Sequence, residues 1–190
     1  METLLRYFSY SSAITFLVLA VLSIYFILTF WVFLDRFYLL HKRIRIENRS
    51  LRRLYTDGTI DERSLLHHYL ARTDSASRPI LEAAVADAVR VSTKGLTWLS
   101  IFASTAPFIG LFGTVIGILE TFSELSGKNS ASLNVVAPAI SEALVATAAG
   151  IFVAVFAYTF HLLLKRKAYE LSSLLHSQAE VFWAKHDARV

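Results

Sequence analysis

From Tyr7 to Leu34 the chain reads YFSYSSAITFLVLAVLSIYFILTFWVFL, 28 residues without a charged side chain. About 20 apolar residues in a helix cross the roughly 30 Å hydrocarbon core of a bilayer. Two further charge-free runs meet that requirement, Gly95–Leu119 with 25 residues and Ala143–Leu164 with 22. The first run is too long for the apolar region of a cleaved signal peptide, and no small-residue cleavage site precedes Asp35-Arg36. The expected fold is therefore all-α, an integral membrane protein with three transmembrane helices, of which the long second and third extend into the cytoplasm.

The composition agrees. Of 190 residues 55% are hydrophobic and 18% charged, and the mean hydropathy is +0.49. Soluble domains are about 45–50% apolar even with glycine counted, so neither a compact soluble enzyme nor a disordered chain fits. With no cysteine, disulfide scaffolds, zinc-thiolate sites, iron–sulfur clusters and cysteine nucleophiles are excluded.

The net charge of +4 is unevenly spread. Residues 36–94 hold 12 of the 19 Lys and Arg side chains and the tail from Lys165 holds five, against Arg6 and Lys128 on the other side. Basic residues mark the cytoplasmic side, so the N-terminus is expected in the periplasm and the C-terminus in the cytoplasm. The basic run is thus a topology signal that also suits anionic membrane lipid, and nucleic-acid binding is not expected. The expected plan is a short periplasmic leader (1–13), a first transmembrane helix (14–34) and a cytoplasmic helical segment (35–79). A long helix containing the second span (80–125), a periplasmic loop (126–134), a third transmembrane helix (135–164) and a cytoplasmic amphipathic tail (165–190) follow.

Within the cytoplasmic segment Asp57-Gly58 signals a turn, and Thr59-Ile-Asp-Glu62 has the spacing of a capping box, predicting a helix to about Leu70. A polar stretch at Thr73–Arg78 ends it, and Pro79 suits a helix start. Leu81, Ala84, Val85, Ala88 and Val89 then recur at helical spacing with no visible break before Gly95, which predicts one long helix extending from the second span into the cytoplasm. In the tail, Leu171, Leu174, Leu175 and Phe182 form a second apolar stripe, expected to pack on that helix.

Catalytic constellations are missing. Of six histidines only His67-His68 are close, and adjacent helical residues diverge by about 100°, a poor arrangement for sharing a metal. No nucleophile elbow, phosphate loop or dinucleotide fingerprint occurs, and no enzyme activity, metal or cofactor is expected. Gly110, Gly113 and Gly117 lie within an apolar span, where small residues let helices approach. Ala139, Ala143, Ala146, Gly150, Ala154 and Ala157 repeat the theme at steps of three or four on the third span. Glu142 lies in that helix's outer portion, and an intramembrane carboxylate is expensive unless it faces protein or water. Thr114 and Thr147 come to a similar depth from opposite directions. Each threonine has two readings, a bond to its own backbone one turn back or a place in a polar path. Glu142 either snorkels to the interface or faces a pore. Glu142 and Thr147 project about 140° apart at helical spacing, so one of them can line a lumen while the other bonds between helices.

Ala106–Gly117 (APFIGLFGTVIG) and Ala137–Gly150 (APAISEALVATAAG) resemble the two-part signature of the MotA/TolQ/ExbB proton-channel family, on the ExbB/TolQ side. The resemblance is specific over about Val91 to Leu164 and topological elsewhere. It implies a homo-oligomeric ring, a pentamer, whose second and third spans line a central pore. It also implies a dimer of a single-span ExbD/TolR-like partner in that pore, carrying the membrane aspartate that takes and releases protons. A TonB- or TolA-like client on the periplasmic side would receive the proton-motive force. Thr114, Glu142 and Thr147 match the family's polar ion pathway; Pro107, Gly110, Gly113, Gly117, Ala143, Ala146, Gly150 and Ala154 carry the helix packing. None of the three spans here holds an aspartate, which agrees with a carboxylate supplied from outside the chain. The sequence departs from the family at Phe156, where a proline is common, so a straighter third helix is expected. Four spans and a larger charged cytoplasmic domain mark the MotA-like stator branch, which is one alternative; a non-conducting membrane scaffold is the other.

Overall fold

The computed structural model describes residues 13–70, 78–126 and 133–187. The expected leader lies outside them except for its last residue, as do most of the loop 126–134, the polar stretch 73–77 and the last three residues of the tail. Among the described residues five helices follow in order: α1 (Ala13–Thr56), α2 (Leu65–Leu70), α3 (Arg78–Ser92), α4 (Leu96–Ser126) and α5 (Leu133–Asp187). No strand occurs among the described residues. Helices α1, α4 and α5 are each long and apolar enough to cross a membrane, as the three charge-free runs predict.

The expected uninterrupted helix over 80–125 is instead two helices. After Ser92 the chain turns at Thr93–Gly95, and Gly95 adopts φ +96°, a left-handed conformation open to glycine at little cost. The Thr93 amide and hydroxyl both donate to the Val89 carbonyl, at 2.9 Å each, which closes α3. A Cβ on Gly95 would stand 3.0 Å from Arg36 Nε. The third helix runs well past its span, as expected: α5 is unbroken for 55 residues, so the segment 165–187 continues the helix of 135–164.

Two compact units are present. One contains the described residues up to Val32 and those within Trp98–Phe160. Val18 and Leu22 of α1, Ala106 of α4, and Ala146, Val153 and Ala154 of α5 form its buried centre. Its α1–α5 seam is an aromatic ladder. Phe26 meets Phe152 and Phe156 at 5.8 Å between ring centroids, and Phe30 meets Phe156 at 5.9 Å and Phe160 at 5.0 Å. Phe156 therefore packs in this ladder, in a helix without interruption.

The other unit contains Phe33–Thr97 and the described residues after His161. Leu40 and Leu54 of α1, Leu66 of α2, Leu81 and Val85 of α3, and Leu171 and Leu175 of α5 are almost completely buried. Leu81, Ala84, Val85 and Ala88 of the stripe expected on α3, and Leu171 and Leu175 of that on the tail, thus face inward, whereas Val89, Leu174 and Phe182 are half-buried. At its heart lies a polar centre. Glu47 is fully buried, and its carboxylate accepts from the Ser64 hydroxyl (2.7 Å), the Leu65 amide (2.8 Å) and Gln178 Nε2 (2.9 Å). Gln178 Nε2 also donates to the Glu47 carbonyl, and the Ser50 hydroxyl donates to Gln178 Oε1 at 3.3 Å. This centre sets where α2 begins. The expected capping box at Thr59–Glu62 gives way to a turn in which Asp61 Oδ1 accepts the Arg63 amide. Ser64 caps a helix that starts at Leu65, its hydroxyl accepting the Leu66 amide.

Candidate functional site

Helices α4 and α5 cross backbone to backbone. A Cβ on Gly110 would stand 2.6 Å from the Ala146 carbonyl oxygen and 3.2 Å from Gly150 Cα, while one on Gly150 would stand 2.6 Å from the Ala106 carbonyl oxygen. Neither position can carry a side chain without parting the helices. Toward the α4–α5 connection the contact passes to side chains: Gly113 against Val18 and Ala146, then Gly117 against Ala143. The order of these contacts makes the two helices antiparallel. Ala143, Ala146 and Ala154 are buried as the stripe predicts. Pro107 is half-buried, and its neighbour Ala106 makes the contact with Gly150.

The close approach sets up the hydroxyl pair. Thr114 Oγ1 and Thr147 Oγ1 are 2.6 Å apart. The Thr114 hydroxyl also lies 2.8 Å from the Leu111 carbonyl and 3.2 Å from that of Gly110, its own backbone. Thr147 instead reaches across the interface, 3.2 Å from the Gly110 carbonyl oxygen. A hydroxyl has one proton and two lone pairs. With Thr114 donating to Leu111, Thr147 donates to Thr114 and keeps lone pairs for another donor. Thr114 is 6% exposed, whereas Thr147 is only half-buried, so access to the pair is through Thr147.

Glu142 lies five residues from Thr147 along α5, about 7–8 Å at helical rise. Its Oε1 is buried without a hydrogen-bond partner, and the same holds for Oε2 of Glu120, six residues from Thr114 in the same direction along α4. Glu120 was not legible as a site residue, because it directly follows the charge-free run and reads as its boundary. The available signal was its i+3 spacing from Gly117, which places it near the packing face. Glu47 was also missed. It is the lone acid in the basic run 42–53, at helical spacing with Leu40, Ile44 and Leu54.

The pair itself holds only neutral hydroxyls and carbonyls. Such groups can order water or pass a proton along hydrogen bonds but cannot store charge. Among the described residues no three His, Asp or Glu side chains gather as a metal site.

Long apolar helices, a glycine–alanine crossing and a hydroxyl bridge inside it define a multi-pass membrane protein whose second and third spans are joined by hydrogen bonds. The chain belongs to the MotA/TolQ/ExbB proton channel family, whose model matches residues 52–177. It is similar to a putative biopolymer transport protein ExbB-like 1 of Helicobacter pylori, 42% identical over 187 residues, 97% of this chain and 98% of that protein. It is 55% identical over 58 residues to the Tol-Pal system protein TolQ of Haemophilus influenzae, covering 30% of this chain and 25% of TolQ. The biopolymer transport protein ExbB of Xanthomonas campestris is 38% identical over 94 residues, 48% of this chain and 37% of that protein. These relatives place the chain on the ExbB/TolQ side of the family, as a multi-pass protein of the inner membrane, and do not favour the MotA-like alternative.

Proposed function

We propose that the chain is the ring subunit of an inner-membrane proton channel and motor of the ExbB/TolQ kind. It couples proton-motive force to a periplasmic or outer-membrane process such as TonB-dependent uptake or Tol-Pal envelope maintenance. Five copies enclose a pore, a dimer of a single-span ExbD/TolR-like partner supplies the membrane carboxylate, and a TonB- or TolA-like client receives the work. The N-terminus is periplasmic and the C-terminus cytoplasmic, with 17 basic side chains inside against two outside. The chain performs no covalent chemistry.

The observation that carries this reading is the cross-helix bond of Thr147. A threonine in a membrane helix ordinarily satisfies itself on its own backbone. Here the hydroxyl is turned to the neighbouring span, where its free lone pairs can meet water or a partner's acid. Thr114 fixes it in place. Glu142, with a buried unpartnered oxygen, is the ionisable group on the same path.

Thr147→Val keeps shape and removes the hydroxyl; Glu142→Gln keeps size and removes ionisation. Both variants are expected to assemble at normal abundance and to lose at least tenfold in proton flux, read in proteoliposomes holding the chain with its single-span partner. Undiminished flux in Thr147→Val would sink its assignment to the path. Zero flux in the wild-type complex, with intact assembly, would favour a non-conducting scaffold.

A further inference from the structure

Helices α1 and α5 leave the apolar runs with a groove between them. Its volume is about 700 Å3, and it lies wholly within the second unit. Phe37, Leu163 and Leu174 supply apolar walls; Arg166, Lys167 and Ser173 supply two cations and a hydroxyl. Its place along the chain is specific. Phe37 follows the first charge-free run by three residues, and Leu163 is the penultimate residue of the third. Arg166 and Lys167 come two and three residues after Leu164, about 3–5 Å along the helix. The headgroup layer on each side of a bilayer is about 5–8 Å deep, so both cations stand at the depth of lipid phosphate.

We propose that this groove is a binding site for one anionic phospholipid of the inner leaflet. The lipid phosphate lies on Arg166 and Lys167, headgroup hydroxyls turn toward Ser173, and an acyl chain runs back along Phe37 and Leu163. Arg166 makes no ion pair among the described residues and offers its planar fork to phosphate oxygens. Lys167 Nζ lies 3.0 Å from Glu170 Oε2, an exposed pair with 31% and 44% of the side chains accessible. Such a pair is weak and can open to a stronger anion. Glu170 leaves the groove with a net charge of one, which favours an anionic headgroup over a zwitterionic one. A free phosphate would use the cations and leave the apolar walls empty. An acidic peptide would have to enter at bilayer depth.

The test uses the detergent-purified full chain and native mass spectrometry, with phosphatidylglycerol and phosphatidylcholine of matched acyl chains. Phosphatidylglycerol is expected to be retained preferentially. Arg166→Gln or Lys167→Gln should weaken retention about fivefold and the double variant about thirtyfold, the share expected of basic side chains beside an anionic surface. Lys165→Gln, an adjacent exposed cation that does not line the groove, should change it less than twofold. Phe37→Ala should weaken the lipid while leaving binding of soluble glycerol phosphate unchanged. Equal retention of both lipids, or an effect of Lys165→Gln as large as that of Arg166→Gln, would overturn the site. Glycerol phosphate displacing the lipid stoichiometrically, with Phe37→Ala silent, would assign the cations to a free phosphate and overturn the lipid.

Discussion

At Gly110 and Gly150 a hydrogen atom stands where a methyl group would press on backbone oxygen at 2.6 Å. Backbone cannot rotate aside as a side chain does, so Gly110→Ala and Gly150→Ala must push α4 and α5 apart. Overpacking of this kind costs about 1–3 kcal/mol. Gly113→Ala would meet Val18 Cγ1 at 2.9 Å, a side chain with some freedom, and Gly117→Ala would meet Ala143 Cβ at 3.2 Å. The expected loss of thermal stability in detergent therefore falls in the order Gly110 and Gly150, then Gly113, then Gly117. Gly150→Leu should abolish assembly, read as loss of the oligomer in native mass spectrometry. A flat series would refute the backbone crossing. The spacing of these residues made a packing face legible in sequence. Which glycines touch backbone was not, because spacing fixes a face and leaves the register of the partner helix open. The same gap hid the bond that Thr147 makes across the crossing, to Thr114 and Gly110.

Among the elements, the second span shows how an apolar pattern can run through a break. Leu81 to Val89 keep helical spacing and Gly95 begins a charge-free run, so sequence joins α3 to α4. Periodicity reports which face is buried; it is blind to one residue at positive φ. Gly95→Ala is expected to lower stability by about 1–2 kcal/mol, the cost of a left-handed conformation for an L-residue. Its would-be Cβ neighbour is the flexible Arg36 side chain, which can yield, so the cost is conformational. Circular dichroism melting in micelles measures it, and an unchanged or raised midpoint would mean that the turn relaxes into helix. The start of α2 was misplaced for a related reason. The local capping signal at Thr59 loses to the carboxylate of Glu47, a group 18 residues from Leu65 that no local pattern reveals.

For the whole molecule, three spans and their family were legible because both rest on long, repeated signals: charge-free runs and a two-part motif. Orientation rests on the basic imbalance and is open to labelling from each side. A cysteine at Ser130 should react with an impermeant thiol reagent from the periplasm, and one at Glu62 only after the inner face is opened. Ser64 is unsuitable for this purpose, being 1% exposed with its hydroxyl donated to Glu47. Labelling of both sites from one side would overturn the three-span topology. Large apolar side chains such as Trp31, Phe108, Phe112 and Tyr158 remain more than half exposed on the single chain. Lipid tails and neighbouring copies are the surfaces that suit them.

The polar centre also has a timetable. Glu47 is held by Gln178, a residue 131 positions later. At about 5–20 residues per second, ribosomes need roughly 7–26 seconds to travel from one to the other. For that interval Glu47 has only the Ser64 hydroxyl and the Leu65 amide to meet it and lacks both donations of Gln178 Nε2. A six-residue helix does not hold by itself in water, so α2 gains its last support only when the end of α5 arrives. The nascent chain thus exposes the region around Asp57–Ser64 to proteases and chaperones until synthesis is nearly complete. A late truncation before Gln178 should leave all three spans inserted and this region cleavable.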